Sequence, residues 1–230
     1  MCERYADFLH ERLLMEAFAI TEATDEARRL PPNWNTAPTQ LARIITLAPD
    51  GSKRHLLTAH WGLLPAWAKD PAIAAKFFNA SRETVTEKPA FRTAYAKRRC
   101  LVPANGYYEW EARELQPGRV AKQPFYIYPA DASPLALAGL WETRKNEGAE
   151  RTFSFTILTT AAKGALARIH ERQPVMLSPG AWDAWLDPET PHPVLETLVV
   201  SKGPAMAAHP VARDIGNLRV NHPGLISPIE

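Results

Sequence analysis

An excess of either charge is missing from this chain: 27 Lys and Arg stand against 25 Asp and Glu in 230 residues, a formal charge of +2. Such a balance excludes a basic surface spread over the whole molecule, so any nucleic-acid contact must be local. Cysteine is scarce as well, with only Cys2 and Cys100. Two such residues cannot build a disulfide framework, and without CxxC or clustered His/Cys spacing no zinc site is expected. No metal and no organic cofactor is expected. Apolar runs stay well short of the roughly 20 residues of a membrane helix, and no charged-apolar-small segment opens the chain. The expectation is a soluble, cytoplasmic protein. Internal repeats, low-complexity tracts and linkers are also missing, which points to one domain over residues 1–230, acting as a monomer.

What is abundant is proline, at 21 residues, in a chain that is 46% hydrophobic and carries seven tryptophans. Proline at that density favours short strands and ordered loops over long helices. Strands are expected at 42–48, 56–64, 99–103, 106–112, 124–128, 135–143, 153–159 and 195–200. Helical spacing of Leu9, Leu13, Leu14, Ala17, Phe18 and Ile20 predicts a helix over 6–20. A second helix is expected at 84–96, broken or restarted at Pro89, and a short third at 179–186. The sum is an α+β fold, mainly antiparallel or mixed sheet with a few short helices.

The first two residues carry the most distinctive chemistry. If Met1 is removed, Cys2 begins the chain with its amine and thiol on adjacent carbons. An aldehyde condenses with that amine to an imine, and the thiol then closes on the same carbon to a five-membered thiazolidine. An α-amine titrates near 7.7–8.0, so roughly a tenth is neutral at pH 7, over a hundredfold more than for a lysine near 10.4. The ordinary alternative is an arbitrary second residue on a frayed end.

Three further segments hold candidate chemistry. Phe78 to Thr84 enters a predicted helix, so Asn79, Ser81 and Arg82 fall near an anion-favouring N-terminus or serve only as caps. Arg99 to Glu111 reads as a strand, an Asn105-Gly106 turn and a returning strand. On that second strand Tyr107, Glu109 and Glu111 share a face opposite Tyr108 and Trp110. Glu109, if desolvated there, gains a pKa suited to proton transfer; otherwise it faces water. His170 precedes an apolar segment within Arg168 to Leu177 and either works in acid/base chemistry or lies hydrogen-bonded at the surface. Trp61 is expected in the core, and Trp67 remains open between core and a stacking platform for unpaired bases. Lys97-Arg98-Arg99 is one basic cluster, read first as solvated mixed-charge surface.

Taken together, Met1-Cys2-x-Arg4-Tyr5, Ala37-Pro38-Thr39-Gln40, Trp61 to Pro65, Asn79-Ala80, Arg99 to Trp110, Ala138 to Glu142, Thr159-Thr160 and Ile169-His170-x-Arg172-x-Pro174-Val175 resemble the SOS response-associated peptidase (SRAP) family of abasic-site-processing proteins. The blocks follow the family order over nearly the whole chain. The resemblance implies a single SRAP domain that binds single-stranded DNA, especially near a duplex junction, and traps the ring-opened aldehyde of an abasic site. It assigns Cys2 as nucleophile, Asn79 as the group orienting terminus and sugar, and Glu109 as proton shuttle. His170 is implied in opening the deoxyribose, in reversing the link and in removing Met1. Arg4 and Arg172 correspond to phosphate contacts, Thr159 to a backbone contact, and Pro38 with Trp67 to a junction wedge. Three positions depart from the pattern: Glu3 replaces a glycine, Gln173 replaces a methionine, and Asn79-Ala80-Ser81-Arg82 displaces an arginine by one, so that Arg82 is its counterpart. Two other readings are an N-terminal cysteine peptidase acting on peptides and a non-covalent reader of single-stranded DNA.

Overall fold

The computed structural model describes residues 2–48, 51, 53–116, 119–145, 151–200 and 203–229. Thirteen strands dominate: β1 (Arg4–Asp7), β2 (Ile20–Ala23), β3 (Asn33–Thr36), β4 (Leu41–Leu47), β5 (Arg54–Trp61), β6 (Asn79–Ser81), β7 (Arg99–Ala104), β8 (Gly106–Gln116), β9 (Arg119–Pro129), β10 (Leu135–Lys145), β11 (Arg151–Ala161), β12 (Arg172–Pro174) and β13 (Met206–Pro210). The helices are short: α1 (Glu11–Ala17), α2 (Asp25–Arg29), α3 (Arg92–Lys97), α4 (Trp182–Leu186) and α5 (His192–Val200). Among the described residues no helix is long and apolar enough to cross a membrane.

Strands β13-β9-β8-β1-β3 form one sheet, and β12-β11-β10-β7-β4-β5-β2 a second, to which β6 adds beside β11. A parallel pairing of β11 with β5, Ser154 opposite His60 and Phe155 opposite Trp61, closes the second sheet into a barrel-like ring. The expected α+β class, mostly sheet with a few short helices, holds.

A shared apolar layer joins the sheets. Tyr5, Tyr107 and Ile127 of the first sheet pack with Ile44, Trp61, Cys100, Val102, Leu137 and Phe155 of the ring, and Cys2 lies in the same cluster. Trp61 has no exposed surface. Its ring meets Tyr5 edge-on with centroids 5.1 Å apart, and its indole N–H donates to the Phe78 carbonyl at 2.8 Å. One side chain therefore fixes β1, β5 and the residue before β6 relative to one another, the role a buried aromatic with a polar handle performs. Beside it, buried Arg43 on β4 donates to both Asp7 carboxylate oxygens, at 2.8 and 2.6 Å, bridging the sheets.

Several expected elements differ. The helix expected over 6–20 is confined to 11–17, because Ala6 and Asp7 are claimed by β1 and Ala19 takes a left-handed φ of 48° that ends the helix. His10 caps its start by accepting from the Arg12 N–H at 3.3 Å. The stretch 84–90 is turn, and only residues 92–97 after Pro89 are helical. Residues 195–200 lie in α5 rather than a strand, with Leu195 and Val199 buried four apart on one side. The third predicted helix is a 3-10 turn at 179–181 leading into α4.

Asn105-Gly106 is not a hairpin turn. Strand β7 pairs with β10 and β4, whereas β8 pairs with β1 and β9, so the chain changes sheets there. Asn105 is tied to β1 instead: its N–H donates to the Ala6 carbonyl at 2.8 Å and its side-chain oxygen accepts from the Phe8 N–H at 2.8 Å. Arg99 is buried rather than solvated, donating to the carbonyls of Tyr95, Ala96, Trp185 and Asp187. Its neighbours Arg98 and Lys97 pair with Glu142 and Glu189.

Candidate functional site

Cys2, Asn79, Glu109 and His170, far apart in the sequence, converge where the first sheet meets the ring. Strand β1 runs antiparallel to β8 with Arg4 opposite Tyr108, which sets the residues preceding Arg4 alongside Glu109 and Trp110. Alternation along β8 then decides which side chains turn inward: Tyr107 joins the inter-sheet cluster, Tyr108 and Trp110 the opposite one. Glu109 falls on the inward side and is only 2% exposed, so of the two readings left open by the sequence it is the desolvated carboxylate that holds.

Asn79 arrives through β6, which lies parallel to β11 with Asn79 opposite Ile157. Its amide donates to the Cys2 carbonyl at 2.7 Å. Its own oxygen is buried and has no hydrogen-bond partner among the described residues, an acceptor held beside Cys2. His170 follows the 3-10 turn Gly164–Arg168 and precedes β12, whose pairing with β11 fixes its position. The Arg172 N–H, at 3.0 Å, and the Arg172 carbonyl, at 3.2 Å, both reach Nδ1, which anchors the ring by that edge and turns Nε2 away from it. That nitrogen faces Glu109 Oε2 at 4.0 Å.

Burial sets the electrostatics. It pushes the Glu109 carboxyl up to about 7, and the Glu3 carboxylate adds to the rise. It pushes the Cys2 thiol well above its ordinary value, with the Glu109 charge contributing, and so holds the sulfur protonated. His170 is lowered, again chiefly by burial. Near neutral pH the site thus offers a half-protonated acid, a neutral imidazole and a neutral thiol. A cleft of about 310 Å³ opens over Glu109 and His170, lined also by Glu3, Arg4, Trp110 and Lys122, whereas Cys2 is fully buried.

The remaining expected residues divide. Arg4 borders the cleft, its guanidinium donating to the Glu3 carbonyl at 2.7 Å. Thr159, Arg172 and Arg82 gather where β6, β11 and β12 meet: Thr159 is opposite Ser81 and Pro174, and the Arg82 N–H donates to its carbonyl at 2.9 Å. Asn79 to Ser81 do not lead into a helix, since residues 82–91 hold turns but no helix, and the helix N-terminus expected to favour anions there is not formed. Trp67 is 57% exposed on the loop after β5, and Pro38 precedes Thr39, which has a φ of 74°. No hydrogen bond among the described residues ties either to Cys2, Asn79, Glu109 or His170. Sequence reasoning missed Lys122, which has no local motif, and gave no role to Glu83, although that residue follows the Asn79 to Arg82 block.

The chain matches the model of the family described as SOS response associated peptidase (SRAP) over residues 1–218. It is 34% identical over 228 residues to the abasic site processing protein YoqW of Bacillus subtilis, covering 98% of this chain and 99% of that protein. The abasic site processing protein YedK of Escherichia coli is 29% identical, with full coverage of both. A structural genomics crystal structure of a Bacteroides thetaiotaomicron protein superposes with a TM-score of 0.86 at 23% identity, covering 100% of each chain.

Proposed function

The chain belongs to the SOS response-associated peptidase family, and we propose that it processes abasic sites in single-stranded DNA by capturing the lesion's aldehyde on Cys2. The observation that supports this reading is that buried Cys2, held at its carbonyl by the Asn79 amide, neighbours Glu109, which with His170 lines the cleft.

In the proposed sequence Met1 is first removed, in a self-processing step served by His170. Proton transfer through the His170 Nε2 edge opens the deoxyribose to its aldehyde. The Cys2 amine adds to C1′ to give a carbinolamine, whose hydroxyl leaves as water once Glu109 has protonated it. Glu109, now a carboxylate, accepts the thiol proton as sulfur bonds to the imine carbon. The iminium nitrogen left by the loss of water already carries its proton, so the addition completes the neutral thiazolidine and leaves Glu109 protonated, as it began. One water is released and no oxidant is consumed. A pKa near 7 allows Glu109 to give and take a proton at neutral pH. The Asn79 oxygen accepts from the amine or a sugar hydroxyl, orienting the attack.

The raised thiol argues for amine-first chemistry over a cysteine peptidase acting on peptides, because attack on an amide carbonyl needs a thiolate that burial disfavours. Arg4, Lys122 and the arginines near Thr159 then hold the DNA backbone, while exposed Trp67 offers a stacking face and, with Pro38, the junction wedge. The test is incubation of mature protein with an abasic oligonucleotide. A heat-stable adduct is expected for the wild type and none for Cys2→Ala; equal yield from that variant would remove Cys2 from the mechanism.

A further inference from the structure

Arg172 is already occupied. Its two terminal nitrogens donate to the two carboxylate oxygens of Glu83, Nη1 to Oε1 at 2.9 Å and Nη2 to Oε2 at 2.8 Å. The same Nη2 reaches the Thr159 carbonyl at 2.9 Å, the Thr159 hydroxyl at 3.3 Å and the Ser81 hydroxyl at 3.2 Å. Ser81 in turn donates to Glu83 Oε2, and the Arg82 Nε lies 3.8 Å from Oε1. Glu83 is therefore held as a two-oxygen anion by a guanidinium fork, a hydroxyl and a second nearby guanidinium.

A phosphodiester presents the same chemistry, two anionic oxygens at a spacing that matches the fork. We infer that the Glu83 carboxylate is an internal occupant of a backbone-phosphate site formed by Arg172, Ser81 and Arg82, and that DNA gains this site by displacing it. The inference rests on the single-stranded DNA reading above. Three further observations support exchange over a fixed structural bridge. The Glu83 side chain is 40% exposed and has a path into solvent, whereas that of Arg172 is 21% exposed. Arg172 also keeps its Thr159 anchors when Glu83 leaves, so the guanidinium stays in place to receive the new anion. Four acceptors crowd Nη2, more than its two hydrogens can serve well, so the loss of one is readily absorbed.

The two roles open to Glu83, competitor or positioner, predict opposite signs. Fluorescence anisotropy with a labelled, undamaged oligothymidylate and mature full-length protein, repeated over a series of salt concentrations, separates them. As a competitor, Glu83→Gln binds about threefold to fivefold more tightly than wild type at moderate salt, the scale of an exposed ion pair. Its slope of log K against log salt stays close to that of wild type, because both proteins end with the same phosphate on Arg172. Arg172→Gln weakens binding and flattens the slope. If Glu83→Gln binds no more tightly than wild type, Glu83 only positions Arg172 and the inference is overturned. Should Glu83→Gln fail to fold, Glu83→Ala at the same exposed position is read by the same two criteria. Undamaged DNA keeps this result independent of covalent capture: absence of an adduct on abasic DNA leaves it standing, whereas failure of every protein to hold the oligonucleotide removes both this inference and the DNA reading.

Discussion

Glu109 shows how surroundings change the chemistry of a single residue. A carboxylate ordinarily titrates near 4.5, and burial carries this one to about 7. Between those values the folded protein holds a proton that the unfolded chain has released, so stability falls as pH rises through that window. Glu109→Gln, which cannot ionise, is expected to be more stable than wild type by about 1–3 kcal/mol at pH 8 and equal to it below about pH 4.5. Thermal melts at the two pH values check the sign; a constant difference would mean the residue is not perturbed by burial. The same variant should lose the inflection near pH 7 in the rate of adduct formation. The strand alternation that turned Glu109 inward was legible from Tyr107 to Glu111. Its approach to His170 was not, because nothing in a sequence records a 4.0 Å contact between residues 61 positions apart.

At the scale of elements, long strands with clear apolar runs, such as β4, β10 and β11, were readable. The three-residue strands β6 and β12, which deliver Asn79 and Arg172, were not. A segment that short has no period to detect, and its pairing with β11 comes from tertiary context. The same context defeats the hairpin signal at Asn105-Gly106. Glycine is required there by proximity: a Cβ on Gly106 would sit 2.6 Å from the Ile127 carbonyl oxygen and 2.6 Å from the Tyr126 ring. Gly106→Ala should therefore push β8 from β9, costing about 1–3 kcal/mol in urea denaturation and slowing adduct formation by moving Glu109. Unchanged stability would show that β9 yields freely.

For the whole molecule, the site exists because two sheets meet along one apolar layer, and the Asp7–Arg43 pair ties them at 2.6 Å with both side chains almost fully buried. Arg43→Met alone should cost about 3–5 kcal/mol by stranding a buried carboxylate, and the double change Asp7→Leu, Arg43→Met should recover most of that loss. Denaturant midpoints decide it; equal losses in single and double variants would assign the cost to packing. Near-neutral overall charge, read from composition, fits the proposal of a local anion site at Arg172, where Glu83 forms an ion pair with the guanidinium.

The central claim is a covalent ring between Cys2 and the abasic sugar, and intact-mass spectrometry of mature protein incubated with an abasic oligonucleotide tests it most directly. The account predicts an adduct at the summed masses less one water, unchanged by borohydride because no imine remains, and absent from Cys2→Ala. No adduct at all, or one that gains two hydrogens on reduction, would contradict it.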